Sequence, residues 1–503
     1  MESKNLEKNI GMQKRLRNVI GVIIALFCLG YPLYSLSKGF FKWQFQTTDY
    51  KMMLLELLVW FLIAMLGIKR ANILWLIVEL TIFTYLHMMF LPVSAAIIYA
   101  LLTEKIGNTI YKFYIKKEEK NKNIISYFLG VMVLTILYAI LSFFNLGSIK
   151  NLIRLNVFFL IILCANALRK HRFMRVDKRK MKVSRSEYLI SAVIMCFLML
   201  AIGRANISLD YDSVWYGLRS AFVLDNQGGI YDNLKLVGCV NIYAKGLETY
   251  LLPLSGTDSY GFFYAANILF GCLVLLMVYK ICKMFLKRKQ ALLGVMFTAM
   301  VPGIMNMTIT AKTDIMTLFI QLLCVYFVIN YINEKKPIYL GMIISTYVYS
   351  QTLKPTSVIF STSIILAFVC VCICYRVNAK IDKSTIILAC ISAIDLLLIW
   401  MRTYWLTGIP ASSVWGRIFR KLGFTDKYPY SSSQISQFRS GNIFSKDVIN
   451  ATIKRIWEFC FAPQSQDMDH VIIAWGTTLC TFLLIIICVC VICNIHFFYD
   501  KLK

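Results

Sequence analysis

Apolar runs of about twenty residues recur along the whole chain, and short basic clusters separate them. A helix needs roughly 20 apolar residues to cross a bilayer, so each run predicts a spanning helix. Hydrophobic residues make up 58% of the chain and charged residues only 16%, a composition that excludes an ordinary soluble protein. The sequence therefore predicts an all-α protein that crosses the membrane many times.

The runs predict about fourteen spans, with uncertain ends. They lie at 18–36, 52–68, 73–90, 93–111, 124–144, 152–168, 189–202, 260–282, 292–305, 315–332, 338–352, 357–375, 386–405 and 471–495. The third and fourth form either a hairpin broken at Leu91-Pro92 or one long tilted helix, and the basic flanks at both ends favour the hairpin. The first run lacks a good cleavage site and is interpreted as a retained anchor.

The basic residues predict the orientation. Lys and Arg collect in cytoplasmic loops, so the formal charge of +28 indicates a membrane topology and no nucleic-acid partner. Basic clusters follow every second predicted span, which predicts that both termini are cytoplasmic. The loop at 205–259 is rich in carboxylates and is predicted to face outward, together with the loop at 406–470.

A basic linker at 169–187 predicts the domain boundary. Residues 1–168 would form a six-helix membrane region, and residues 188–503 would form a membrane region that carries the two outer loops. The first region contains the ionisable residues Glu56, Glu79 and His87 inside apolar runs. Such residues indicate either a buried polar pair between helices or a transport path.

The sixteen cysteines lie mostly inside apolar runs, where free cysteine behaves as a small hydrophobic residue. They lack neighbouring His or Asp residues, so a zinc site is not indicated.

Charged residues near the helix ends of the second region converge on one side of the membrane. Counting spans alternately puts all of them outside, and carboxylates beside cations suit a general base with a phosphate clamp. An anionic lipid headgroup is the predicted substrate. The set consists of Asp210, Asp212, Arg219, Lys312, Asp314, Lys354 and Arg402.

Five of these residues have a purely structural alternative. The paired carboxylates Asp210 and Asp212 could cap a loop helix, and Asp314 could cap its own span. Lys354 and Arg402 could be snorkelling residues at helix ends. Asp395 lies seven residues before Arg402, hence on about the same helix face, and could pair with another helix.

Five segments resemble one family in order and sidedness. Asp212-Ser-Val-Trp-Tyr-Gly-Leu-Arg219, Lys245-Gly-Leu-Glu-Thr-Tyr-Leu-Leu-Pro253, Thr313-Asp314, Lys354-Pro-Thr356 and Arg402-Thr-Tyr-Trp-Leu-Thr-Gly-Ile-Pro410 carry the resemblance. They resemble the polyprenyl-phosphate-sugar-dependent membrane glycosyltransferases of the GT-C fold, including protein O-mannosyltransferase and aminoarabinose-transferase relatives. The resemblance covers about 189–410. Gly217 replaces a His, and Thr403 and Ile409 replace two Asn residues of the family pattern.

The resemblance implies an inverting transfer of a sugar from polyprenyl phosphate to an extracytoplasmic glycan, lipid or protein in the cell envelope. It also implies loop helices that lie along the membrane. Asp212 is expected to be the base, with Asp210 second. No cofactor is certain, although the two carboxylates could hold a divalent metal ion. Substrate binding is expected from Arg219, Glu248, Lys312, Asp314, Lys354 and Arg402, and from Trp215 and Tyr216, which are otherwise interfacial aromatics.

Two other functions remain open. A transporter or lipid flippase would show repeats and sites near the bilayer midplane, whereas the charged set here lies at one edge. A non-catalytic envelope-assembly protein would need only the outer loops as binding surfaces.

Overall fold

The computed structural model is built from α-helices. It describes residues 48–115, 119–169, 182–205, 213, 228–232, 242–255, 260–374, 376–377, 380–413, 415–427 and 445–461. Within these residues no strand occurs, and the helices are α1 Thr48–Leu66, α2 Ile73–Leu86, α3 Phe90–Tyr114, α4 Lys122–Phe143, α5 Ile149–Arg169, α6 Arg185–Ala205, α7 Gly246–Ser255, α8 Gly261–Phe285, α9 Arg288–Ala299, α10 Pro302–Thr308, α11 Asp314–Glu334, α12 Pro337–Ser350, α13 Pro355–Cys374, α14 Lys383–Thr407, α15 Gly416–Lys421 and α16 Lys446–Phe461.

Eight helices in the described part of the chain are long and apolar enough to cross a membrane: α3, α4, α5, α6, α8, α11, α13 and α14. Large apolar side chains remain exposed on them, such as Ile359 and Ile373 on α13. Exposed apolar side chains on a helix suit contact with lipid. The multi-pass, all-helical class is confirmed. The number fourteen stays a prediction, since the runs at 18–36 and 471–495 lie outside the described residues.

Two predicted runs end differently from expectation. The break between α2 and α3 falls at His87 to Met89, just before the predicted Leu91-Pro92, because Met88 adopts a positive φ of 58°. Pro92 is tolerated in the first turn of α3, where its missing N–H has no helical partner. The single span predicted at 292–305 is divided between α9 and α10. Pro302 starts the second of these helices, a position that proline favours.

The chain forms two compact units. The larger comprises residues 63–299 and 307–440, and the smaller comprises 1–62, 300–306 and 441–503. In the smaller unit, the Trp60 indole donates a hydrogen bond to Glu56 within α1 at 3.3 Å. The larger unit extends on both sides of the basic linker at 169–187. The predicted division at this linker stays a prediction.

Six helices of the larger unit pack side by side in a closed ring. α8 packs on α11, α11 on α12, α12 on α14, α14 on α4, α4 on α3, and α3 returns to α8. Two of these helices, α3 and α4, precede the basic linker and the other four follow it. The ring therefore closes only with helices from both parts of the sequence.

Aromatic side chains fill the ring. The Phe270 ring centroid lies 6.0 Å from that of Phe319 and 6.3 Å from that of Tyr250, and Phe128 lies 5.4 Å from Tyr349. Tyr250 belongs to the short helix α7, which packs on α4, α5 and α8 and whose ten residues are all buried. The interior is thus a packed core that encloses part of the first predicted outer loop.

The two edges of this bundle differ. We call the edge where α8, α11 and α13 begin and where α4, α12 and α14 end the site edge. At the opposite edge the Lys336 ammonium lies 2.7 Å from Glu119 and 2.8 Å from Glu334. The hydrogen bonds that the Lys336 ammonium donates to these two carboxylates raise the pKa of Lys336. This contact fastens the chain before α4 to the turn between α11 and α12.

Two glycines allow α3 and α4 to approach closely. A Cβ at Gly107 would overlap the backbone carbonyl oxygen of Ser126, and one at Gly130 would overlap that of Thr103. Small residues at helix interfaces let backbones pack directly against each other in membranes. The side of the ring formed by α3 and α4 therefore depends on these two glycines.

We expect Gly107→Ala and Gly130→Ala to lower the unfolding temperature in detergent, because overpacking of this kind costs about 1–3 kcal/mol. Gly203→Ala in α6 is the matched control. Its Cβ would lie 3.5 Å from Phe83, an ordinary contact, so this variant should be at least as stable as the wild type. Equal unfolding temperatures for the three variants would contradict the close approach.

Candidate functional site

The structure brings two predicted site residues, Asp314 and Lys354, into direct contact. The Lys354 ammonium lies 2.5 Å from Asp314 Oδ1, and the side chains remain 33% and 28% exposed. Asp314 is the first residue of α11, and the cap residue before it is Thr313, which makes no side-chain capping bond. The carboxylate therefore serves the ion pair at the site edge, where it is accessible to a ligand.

The turn before Asp314 is held from two sides. The buried Asn267 side chain of α8 donates to the carbonyl oxygens of Thr310 and Lys312. The Ala311 N–H donates to Ser213 Oγ at 2.8 Å, and Ser213 is fully buried. Ser213 directly follows Asp212 in the sequence. One residue of the acidic segment is thus anchored on the turn that carries Lys312 and leads to Asp314.

Glu248 forms a buried ion pair with Lys245, which was not among the predicted site residues. The Lys245 ammonium lies 3.0 Å from Glu248 Oε1, and the two side chains are only 4% and 8% exposed. The second oxygen, Oε2, has no hydrogen-bond partner among the described residues. Lys245 could have been recognised, because it stands three residues before Glu248 and so shares its face at the start of α7.

The start of α7 is attached to the turn between α12 and α13. The Gly246 N–H donates to the Thr352 carbonyl at 2.9 Å, and a Cβ at Gly246 would overlap Thr352. Thr352 is two residues before Lys354. The Lys245–Glu248 pair and the Asp314–Lys354 pair therefore lie on segments that touch at the site edge.

Arg402 is buried at the end of α14 and binds the first outer loop. It is 3% exposed, and its Nε and Nη1 donate to the carbonyl oxygens of Ile230 and Tyr243, both at 3.2 Å. A snorkelling residue would extend towards water, so that alternative does not describe Arg402. The neighbouring Tyr231 hydroxyl donates to Leu398, and burial raises the pKa of Tyr231 to about 12.

Asp395 shares the buried face of α14 with Arg402, as the spacing predicts. It is fully buried, and neither carboxylate oxygen has a hydrogen-bond partner within the described residues. Glu79 in α2 is in the same situation. The pairing with another helix that was open for Asp395 is therefore not found in the described part of the chain.

Part of the second outer loop also lies at the site edge. The Trp415 indole donates to the Gln351 side chain at 3.3 Å, and Ser412 donates to the Ile242 carbonyl. Ile242, Gln351, Trp400 and Trp415 line a narrow cleft beside these contacts. Sequence reasoning did not select these residues, because a single Trp or Gln near a helix end carries no spacing signal.

The remaining predicted site residues, Asp210, Asp212, Trp215, Tyr216 and Arg219, lie outside the described residues. No group of three or more His, Cys, Asp or Glu residues suited to a metal ion occurs among the residues that are described. The metal site predicted at Asp210 and Asp212 stays a prediction.

The buried Lys245–Glu248 pair allows a stability prediction. Removing one partner leaves an uncompensated buried charge, which costs about 3–5 kcal/mol, so Lys245→Met and Glu248→Leu should each strongly lower the unfolding temperature. The double variant should be more stable than either single variant.

Arg288→Met provides the control, since it removes an exposed partner of the Arg288–Glu187 pair and should change little. Single variants as stable as the wild type in thermal unfolding would refute the buried pair.

Residues 253–405 match the sequence profile of the dolichyl-phosphate-mannose-protein mannosyltransferase family. The matched segment begins within α7, includes the ring helices α8, α11 and α12 and nearly all of α14, and contains Lys312, Asp314, Lys354 and Arg402. No curated protein and no solved structure matches the chain. Over residues 253–405 the chain is thus similar to membrane glycosyltransferases of the GT-C type, within the range over which its motifs resemble them.

Proposed function

We propose that this protein moves a sugar from a polyprenyl-phosphate donor to an extracytoplasmic glycan, lipid or protein acceptor in the cell envelope. One observation carries the proposal. Asp314 and Lys354 of the family-matched segment form an accessible ion pair at the site edge, where the turn before Asp314 also binds Ser213. Ser213 directly follows Asp212 in the sequence, so its contact with this turn supports a base close to the proposed phosphate-binding cations.

The proposed reaction inverts the configuration at the sugar. Asp212 removes the proton from the acceptor hydroxyl, and the hydroxyl oxygen forms a new bond to the anomeric carbon. The bond from that carbon to the phosphate oxygen breaks on the opposite face, and the phosphate keeps the electron pair. General-base assistance of this kind contributes about 10²–10⁴-fold, and Asp210 is the second candidate for this role.

The departing phosphate needs cations. Lys354 is accessible and can exchange its contact with Asp314 for a contact with a phosphate oxygen, since an ammonium binds either anion through the same donors. Lys312, Arg219 and Arg402 are the other proposed cations. Arg402 binds two loop carbonyls, which supports a contribution through the placement of the loop as well as through its charge.

The sugar and the remaining part of the donor are proposed to contact Trp215, Tyr216 and Glu248. Glu248 Oε2 is a buried acceptor without a hydrogen-bond partner among the described residues, which suits a donor from a ligand hydroxyl. We also propose that the protein lies in the cell membrane with both termini in the cytoplasm.

The alternatives lead to different expectations. A transporter would use intramembrane carboxylates near the midplane, whereas the accessible Asp314–Lys354 ion pair lies at helix ends. A non-catalytic assembly protein would be insensitive to the loss of a single carboxylate in the acidic segment.

We expect Asp212→Asn to lower kcat for sugar transfer about 10²–10⁴-fold in a purified-protein assay, because the base is lost while the shape is kept. Asp210→Asn should have a smaller effect. Asp232→Asn is the control in the same loop, since Asp232 accepts a hydrogen bond from the Gly229 N–H at 2.9 Å and Asn retains an acceptor oxygen.

Full activity of both Asp212→Asn and Asp210→Asn would exclude the proposed base. Repeating the assay with EDTA tests the divalent ion separately, because only a metal-dependent reaction would stop.

Loss of the accessible cation should weaken the donor site. We expect Lys354→Gln to lower kcat/KM for the polyprenyl-phosphate sugar about 10- to 100-fold, as expected when a charge-assisted contact of about 1.5–3 kcal/mol is removed. Lys427→Gln is the control, because Lys427 is an exposed lysine that donates to the Trp405 carbonyl. Equal kcat/KM values for the two variants would contradict the role of Lys354.

A further inference from the structure

A chain of polar contacts runs through three helices that precede the family-matched segment and ends on α7. The Tyr138 hydroxyl of α4 donates to Asn156 of α5 at 2.9 Å, and it lies 3.3 Å from the Tyr99 hydroxyl of α3. The Tyr99 hydroxyl donates to the backbone carbonyl of Tyr250 in α7 at 2.5 Å. All four residues are buried.

The contact from Tyr99 lies close to a proline within α7. Pro253 lies inside this helix and has no N–H, so the Thr249 carbonyl has no helical donor. The adjacent carbonyl, that of Tyr250, accepts a hydrogen bond from the Tyr99 hydroxyl of another helix. Tyr99 therefore binds α7 from outside, one residue from the carbonyl that the proline leaves without a helical partner.

A second contact joins the same two helices. Thr103 Oγ1 of α3 lies 2.9 Å from the Tyr250 hydroxyl, and burial raises the pKa of Tyr250 to about 12, so this hydroxyl keeps its proton. The Thr103 hydroxyl in turn donates to the Tyr99 carbonyl at 2.8 Å. Both the backbone and the side chain of Tyr250 are therefore fixed by α3.

The other end of α7 carries site residues. Glu248 stands two residues before Tyr250, and Gly246 binds the Thr352 carbonyl. Because Glu248 and Tyr250 lie within one turn of the same short helix, a backbone shift at Tyr250 is expected to displace Glu248 as well. Tyr99 is thus connected to the site edge through α7.

We propose that Tyr99 is a positioning residue, whose hydroxyl holds α7 through the Tyr250 carbonyl and thereby sets the position of Glu248 in the site. The proposal rests on the proposed function, in which Glu248 binds the substrate. It gives the helices before the basic linker a part in the reaction, although they lie outside the family-matched segment.

Activity measurements on the full chain test the coupling. We expect Tyr99→Phe to lower kcat/KM for sugar transfer about 10-fold, since small misplacements of binding groups cost up to 10²-fold. Glu248→Gln should lower it as well. The double variant Tyr99→Phe/Glu248→Gln should equal Glu248→Gln alone, because Tyr99 acts through Glu248. Losses that multiply in the double variant would overturn the proposal.

Tyr326→Phe separates positioning from general stability. Tyr326 is also buried, and its hydroxyl donates to Asn121 at 2.6 Å at the opposite edge. This variant loses a comparable hydrogen bond, so its unfolding temperature should fall as in Tyr99→Phe while kcat/KM stays within about twofold of the wild type. A similar loss of kcat/KM in both tyrosine variants would also overturn the proposal.

Hydrogen exchange tests the same link without activity. Tyr99→Phe should speed exchange of the α7 amides roughly 5- to 10-fold, which is the effect expected from losing one buried hydrogen bond, and Tyr326→Phe should leave them unchanged. If the wild-type protein transfers no sugar, the proposed function is contradicted, but the hydrogen bond from Tyr99 to α7 is not. Hydrogen exchange of the α7 amides would then test whether Tyr99 positions α7. Unchanged exchange of the α7 amides in Tyr99→Phe would refute the positioning role of Tyr99.

Discussion

The burial of α7 on every side is the constraint on which the arrangement of the larger unit depends. A short helix with an internal proline cannot satisfy all of its backbone groups by itself, and burial of all ten residues keeps water away from them. The surrounding helices must therefore supply donors and acceptors at defined points. Tyr99 of α3 supplies one such donor to α7, and Thr352, between α12 and α13, supplies an acceptor. Helix α7 therefore contacts residues from both sides of the basic linker.

The same requirement organises the site edge. Each loop segment that is described there is bound by a buried side chain or backbone group of a neighbouring helix: Asn267 binds the turn before Asp314, and Arg402 binds two carbonyls of the first outer loop. These contacts leave the Lys354 ammonium and the Asp314 carboxylate accessible on a supported framework. A site that must hold a charged headgroup benefits from this rigidity, since its charges need no rearrangement before they act.

Much of the helical framework was predictable, because an apolar run and a basic flank are local signals. The helices α3, α4, α8, α11 and α14 begin and end within a few residues of the predicted runs. The shared face of Asp395 and Arg402 followed from helical periodicity. The convergence of Asp314 and Lys354 followed from counting spans, which needs no knowledge of packing.

The ring itself was not predictable from the sequence. Its closure depends on which apolar helix faces pack against each other, and hydropathy does not distinguish a face that contacts another helix from one that contacts lipid. The tyrosines of the polar chain were not predicted as functional residues for a related reason. A tyrosine in an apolar run carries no local signal, and its role depends on a distant partner: Tyr99 and Tyr250 are 151 residues apart in sequence.

The closed ring has a consequence for the order in which the protein assembles. Helices α3 and α4 are synthesised before the other four helices of the ring, and α14, which packs on α4, begins more than two hundred residues after α4 ends. Before α7 is synthesised, the Tyr99 hydroxyl has no Tyr250 carbonyl to bind, and before α14 is synthesised, the face of α4 that packs on α14 is not covered by that helix. The pair of α3 and α4, which approach closely at Gly107 and Gly130, is thus the first part of the ring to be synthesised, and the later ring helices complete it.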